Sequence, residues 1–233
     1  MAIRHTNNGE ALRHYHTDHQ NAASLQAIHN VEILAPTLLE YWAVRWTLPH
    51  ARVNLAGVQL ARWRGARRRS IMVVCGLAGA LAPDLLPGTV LVPRWVGLAD
   101  GSIMHCDTTM RQALEAAARR LHFRLHTGPL LTAQSLVVGD DRYRWYHQGF
   151  VAADMETGLL AARNLRVATI RVVLDNPEHG ISPDWLQPTR ALLQPQLWRE
   201  LLWLSHEAPR YALRAGQVLK VGLGIMSGNM AVE

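Results

Sequence analysis

The sequence predicts a single α/β domain, and three observations lead there. Two continuous apolar runs of strand length, Ser70–Cys75 and Val167–Leu174, have the character of strands buried on both faces. Between them lies an amphipathic helix pattern, with Met110, Leu114, Ala117 and Leu121 on one side and Arg111, Glu115 and Arg119 on the other. The chain has 233 residues, 49% of them hydrophobic and only 18% charged, which suffices for a packed core and excludes bulk disorder.

Taken in order, residues 1–30 are polar and lack a sustained apolar period. They are expected to form a His-rich, mobile or loosely docked arm outside a domain of residues 31–233. His14, His16 and His19 are close enough in sequence to chelate a metal. A zinc site needs further ligands held in place by a core, so the arm is the simpler reading. Val31–Ala35 is the first strand, stopped by Pro36. Thr37 can cap a helix that carries Leu38, Leu39, Trp42 and Trp46 at helical spacing. Arg52–Leu55 is a second strand, ended at Gly57. Arg62–Arg69, basic with one Trp, reads as a solvated loop, although basic residues beside an aromatic can also bind phosphate backbones. The buried strand Ser70–Cys75 runs straight into Gly76–Leu81 (GLAGAL). Small residues after a buried strand let a ligand or a helix approach the backbone. Pro87-Gly88 makes a turn, and Val90–Val92 is a strand stopped by Pro93. Asp107 or Thr108 caps the amphipathic helix. Leu125–Thr132 and Val151–Ala153 are short strands, Thr157–Arg163 a helix and Val167–Leu174 a buried strand. Gln194–Leu213 carries Leu197, Leu201, Leu204 and Ala208 at helical spacing, with Pro209 expected to kink or divide it. Strands alternating with helices define the α/β class.

The 24 basic against 18 acidic residues give a net charge of +6, but every basic residue except Lys220 is Arg. Codon bias toward Arg explains that lopsided set, so nucleic-acid binding is not inferred from it. With two cysteines, Cys75 and Cys106, and no signal-peptide pattern, a disulfide scaffold is excluded and a reducing cytoplasm is expected. No apolar run is long enough for a membrane span.

Candidate chemistry lies at strand ends, where α/β sheets bind ligands. Asp154-Met155-Glu156 closes one strand and opens a helix, while Asp175 closes another. Acids at a helix start also cap free amides, so pattern alone leaves Asp154 and Glu156 divided between cap and site. Asp175, followed by Asn176-Pro177, equally suits a turn. The adjacent residues His105-Cys106-Asp107 hold nucleophile, base and acid types but cannot readily face one another as a triad. Ser135 reads as a loop serine. Trp185, Trp198 and Trp203 suit core or subunit contacts better than an apolar mouth for a lipid-like group.

GLAGAL, the Pro-Gly turn and strand after it, the element Ala152–Ala161 (AADMETGLLA), and the strand ending Arg171-Val172-Val173-Leu174-Asp175 occur in one order. In that combination the sequence resembles the purine and uridine phosphorylase superfamily from about Val31 to Asp175, with DME the most specific element. The long C-terminal region is most similar to the hopanoid-associated branch. The resemblance implies a central mixed β-sheet, partly barrel-like, flanked by helices. It implies cleavage of the N-glycosidic bond of an adenine-type nucleoside, by water or phosphate, without a cofactor, in a homo-oligomer. Asp175 then matches the acid that protonates the departing base, and Glu156 the carboxylate that grips the sugar hydroxyls. Met155 matches the apolar floor beneath the sugar, and Leu77, Ala78 and Gly79 the small-residue wall of the base site. Glu40 lies where the nucleosidases keep the carboxylate that readies the attacking water.

Departures from the family pattern accompany these matches. Leu77 stands where Ser or Thr is usual, Val74 and Cys75 where phosphorolytic enzymes often place Arg, and Leu174 where a Ser commonly precedes the acid. They weaken the expectation of phosphate binding. They also leave an alternative, a non-catalytic member that binds a nucleoside or a protein partner.

Overall fold

The computed structural model describes residues 31–65, 70–163, 165–178, 180–182, 184 and 194–228. The expected arm of residues 1–30, the end of the Arg-rich stretch at 66–69, and Trp185 lie outside the described residues. Ten strands form one sheet: β1 Val31–Ala35, β2 Val53–Leu55, β3 Ile71–Ala80, β4 Val90–Leu91, β5 Trp95–Leu98, β6 Ile103–His105, β7 Leu125–His126, β8 Leu130–Thr132, β9 Ala152–Asp154 and β10 Arg166–Asp175. Among the described residues four α-helices accompany them: α1 Leu38–Thr47, α2 Thr108–Arg120, α3 Asp140–His147 and α4 Trp198–Met226.

The two long central strands explain the apolar runs. β3 and β10 pair in parallel from Ile71↔Arg166 onward, and alternate side chains enter separate cores. Ile71, Val73 and Cys75 pack with Met110, Leu114 and Leu219 of α2 and α4. Met72 and Val74 pack on the other face with Leu130, Ala152 and Val173. Both faces are covered, so no polar alternation is present in the sequence of either strand.

The sheet forks along one side of β3. Its first half pairs with β1 as far as Val74↔Leu34, whereas its tip pairs antiparallel with β9 at Gly79↔Ala153 and Ala80↔Ala152. On that side the intervening residues 75–78 lie between the two pairings. On the other side β3 keeps β10 as neighbour, until a bulge at Leu174 brings Asp175 opposite Gly79. Bulges at strand ends re-aim side chains, and this one aims an acid.

Several expectations are corrected. The strand predicted to end at Cys75 continues through Gly76–Ala80, because β10 and β9 still offer partners there. Leu125–Thr132 is two strands, broken at Gly128-Pro129 and paired with β4 and β5 respectively. Thr157–Arg163 is a 3₁₀ segment rather than an α-helix. Helix α1 has the expected Thr37 cap, completed as a capping box by Glu40. Leu38, Trp42 and Trp46 are exposed, by as much as 82% at Trp46, and the buried face is Glu40, Ala43 and Val44. Helix α4 runs undivided through Pro209 as far as Met226. Its buried stripe Ala208, Ala212, Ala215, Val218, Leu219 and Leu223 lies on both sides of the proline, where packing compensates for the lost backbone bond.

Candidate active site at the fork of the sheet

A cavity of about 550 Å³ opens where the sheet forks. Its walls come from the turn after β1, the open stretch of β3, the end of β9 and the end of β10. Glu40, Leu77, Ala78, Gly79, Met155, Glu156 and Asp175, all singled out in the sequence, line this one space. Ser135, read as a loop serine, also lies on its wall.

At one end three carboxylates surround one guanidinium. Arg171, on β10 and 1% exposed, donates through Nη2 to Asp154 Oδ2 at 2.5 Å, to Thr157 Oγ1 at 3.1 Å and to Glu156 Oε2 at 3.3 Å. Its Nη1 donates to the Leu77 carbonyl at 3.2 Å, while its Nε lacks a partner among the described residues. Asp154 is further occupied by the Thr132 hydroxyl at 2.5 Å, the Thr157 hydroxyl and the Thr157 N–H at 3.2 Å. That saturation makes Asp154 a structural anchor, resolving the choice between cap and site that sequence left open.

Glu156 is held more loosely, by Arg171 and by the Gln59 N–H at 3.3 Å. Gln59 and Leu60 both have φ in the left-handed region, which non-glycine residues adopt only at a cost in energy. Burial, reinforced by Asp154 and Glu40 and opposed by Arg171, pushes the Glu156 carboxyl up to about 7. Glu40 accepts from the Leu77 N–H at 2.7 Å through Oε1, and from Thr37 N–H and hydroxyl at 2.8 and 2.7 Å through Oε2. The Leu77 N–H is available because β3 has no strand on that side between its pairings with β1 and β9. Gly76 is required here: a Cβ at that position would lie 2.2 Å from Glu40 Oε1 and 3.0 Å from Arg171 Nη1.

At the other end Asp175, 3% exposed, pairs with Arg142 Nη2 and accepts from the Ile181 N–H at 3.0 Å, both through Oδ2. These two donors replace the hydroxyl partner that Leu174 cannot supply. Oδ1 faces Gly79, where a built Cβ would lie 3.0 Å away, so the glycine keeps space open in front of that oxygen. Burial raises the Asp175 carboxyl above its ordinary value, against the opposing effect of Arg142. Arg142 is 2% exposed and is fixed by the Val137 and Ala80 carbonyls at 3.0 and 3.1 Å.

Sequence reasoning missed both arginines. Arg171 carried a signal: a charge inside an otherwise apolar, doubly buried strand requires a partner. Arg142 carried none, since it lies in the polar stretch Asp140–His147, where it is the one residue α3 buries.

The other constellations are structural. Asp107 caps α2 through the Met110 N–H and pairs with Arg166. Burial pushes the Cys106 thiol up to about 12 and raises that of Cys75 as well, which makes both poor nucleophiles. Among the described residues no group of His, Cys, Asp and Glu is arranged to hold a metal ion, and no helix is long and apolar enough to cross a membrane.

Fold and site together define an α/β protein whose acids converge on one cavity at the ends of its strands. Residues 50–187 match the family described as the phosphorylase superfamily, and the chain belongs to that family. Solved structures share the fold at low identity. The native futalosine hydrolase of Helicobacter pylori aligns with a TM-score of 0.62 and 12% identity over 86% of this chain and 97% of that one. A 5′-methylthioadenosine/S-adenosylhomocysteine nucleosidase of the same organism gives 0.62 and 13% over 86% and 98%. The corresponding nucleosidase of Streptococcus pneumoniae gives 0.62 and 17% over 83% and 98%. No curated protein matches the sequence.

Proposed function

We propose that this protein hydrolyses the N-glycosidic bond of a purine nucleoside, releasing the free base. The observation that carries this reading is that Glu156, just after β9, and Asp175, at the end of β10, both line one cavity. Such bonds break through an oxocarbenium-like transition state, in which the sugar gains positive charge and the base gains electrons. Glu156, beside the sugar, becomes better matched as that charge develops. Asp175, raised by burial, hands its proton through Oδ1 to an imidazole nitrogen of the base as the C1′–N9 bond breaks. Water adds to C1′ and its proton passes to Glu40, whose carboxylate is oriented by Leu77 and Thr37 and still has lone-pair capacity. Proton return from Glu40 to Asp175 through solvent completes the cycle. Met155 and the Leu77–Gly79 wall keep water from the rest of the cavity.

Water is favoured over phosphate as the nucleophile on charge grounds. Glu40, Asp154 and Glu156 outnumber Arg171 at the sugar end, and a phosphate dianion placed among them would be repelled. A homo-oligomer is supported by the exposed Leu38, Leu39, Trp42 and Trp46 of α1, of which Leu39 also lines the cavity.

The test is incubation of the purified chain with purine nucleosides, with and without phosphate, followed by detection of free base. Release independent of phosphate is expected. Asp175→Asn should lower kcat by roughly a hundredfold or more with little change in KM. Equal losses in kcat and in substrate binding would contradict the proton-donor role, and phosphate-dependent release would contradict hydrolysis.

A further inference from the structure

The identity of the base depends on what stands beside its proton donor. Arg142 is buried, enters from α3, and has no role in the steps above except to hold Asp175. Three of its five N–H groups are committed, to Val137, Ala80 and Asp175. Among the described residues no partner takes the further N–H on each Nη. The space in front of Gly79 is bordered by both heads at once: a Cβ built there would lie 3.0 Å from Asp175 Oδ1 and 3.8 Å from Arg142 Nη2. Both residues line the cavity. The base edge that meets Asp175 therefore also meets a guanidinium donor.

Purines differ on that edge. Beside N7 a 6-oxopurine presents a carbonyl acceptor, whereas adenine presents an amine donor. With Asp175 giving its proton to N7, the neighbouring Arg142 Nη2 can be satisfied by a carbonyl and is opposed by an amine. The reverse placement, with Arg142 on N7 and Asp175 accepting from an amine, would suit adenine. It leaves the departing base without a proton source, because a guanidinium does not give up its proton.

We propose that Arg142 is the base-reading residue of this site and selects a nucleoside of a 6-oxopurine, in place of the adenine-type base that the sequence resemblance implies. The proposal rests on the nucleoside-cleaving reading above and narrows it. Arg142 is at once a positioning residue for Asp175 and a specificity determinant.

The experiment compares kcat/KM for inosine, adenosine and uridine, together with equilibrium dialysis of hypoxanthine and adenine against the whole chain. Inosine should exceed adenosine by roughly ten- to a hundredfold, and hypoxanthine should bind more tightly than adenine by a similar factor. Arg142→Met should bring the inosine-to-adenosine ratio close to one, and Arg142→Lys should retain part of the preference. A purely structural Arg142 would lower both substrates equally and leave the ratio unchanged. Adenosine or uridine cleaved as well as inosine by the unaltered protein would overturn the proposal while leaving the glycosidase reading intact. If no nucleoside releases base, the glycosidase reading falls, and dialysis alone decides the base preference: tighter hypoxanthine supports it, and equal, reversed or absent binding overturns it.

Discussion

Replacing Glu156 by Gln tests the electrostatics of the site without touching its shape. Glu156 accepts from the Gln59 N–H through Oε1 and from Arg171 through Oε2, so the amide keeps an oxygen for only one of the two donors, and it removes a charge that burial opposes. Burial and the neighbouring Asp154 and Glu40 raise the carboxyl from 4.5 to about 7. Between those values the folded protein keeps a proton that the unfolded chain releases. Stability from this group is therefore fully present below about 4.5 and is lost as pH climbs through about 7. At about 1.4 kcal/mol for each pH interval of one, the loss amounts to about 3 kcal/mol. Urea unfolding of both proteins at pH 5, 6, 7 and 8 reads it directly. The variant should gain on the parent by about 2–3 kcal/mol between pH 5 and pH 8, with most of the gain below pH 7. A difference that stays flat over this range would refute the account of an excess of negative charge around Arg171. It would also remove the main argument against phosphate.

Two further substitutions probe how the fold holds the site. Gly76→Ala places a methyl group against the Glu40 carboxylate, at a strand position fixed by β10. It should cost about 2–4 kcal/mol in urea unfolding and lower base release, because Glu40 must abandon the Leu77 N–H. Unchanged stability would mean that Glu40 moves aside freely. Pro209→Ala restores a backbone donor inside α4 and should raise stability by about 1–3 kcal/mol, read as a higher midpoint in thermal unfolding followed by circular dichroism. A fall in the midpoint would show that the proline ring itself is needed for packing.

What was legible in the sequence followed from local physics. The apolar runs Ser70–Cys75 and Val167–Leu174 read as doubly buried strands, and Asp107 and Thr37 announced their helices through capping. The acids at strand ends were legible because a sheet exposes its ends to ligands. What was hidden depended on distant partners. Gly76–Ala80 is a strand only because β9 and β10 arrive to pair with it, and no residue within that stretch says so. The facing of α1 was not legible, because Leu38, Trp42 and Trp46 repeat at helical spacing as a core stripe does, yet they are exposed and the buried face is Glu40, Ala43 and Val44. Arg142 was invisible for the same reason: its partner is 33 residues away, and its own segment reads as solvated surface.

Arg171 and Asp175 belong to the same strand, separated by Val172, Val173 and the bulged Leu174. In the proposed function one anchors the acids assigned to the sugar and the other is assigned to the base, so on that reading β10 works as a ruler laid along the substrate. Any insertion or deletion between those two marks would change the distance between the two proposed contact points, however well the two cores on either face of the sheet were preserved. The length of this short tract is thus under tighter constraint than the identity of the apolar residues within it.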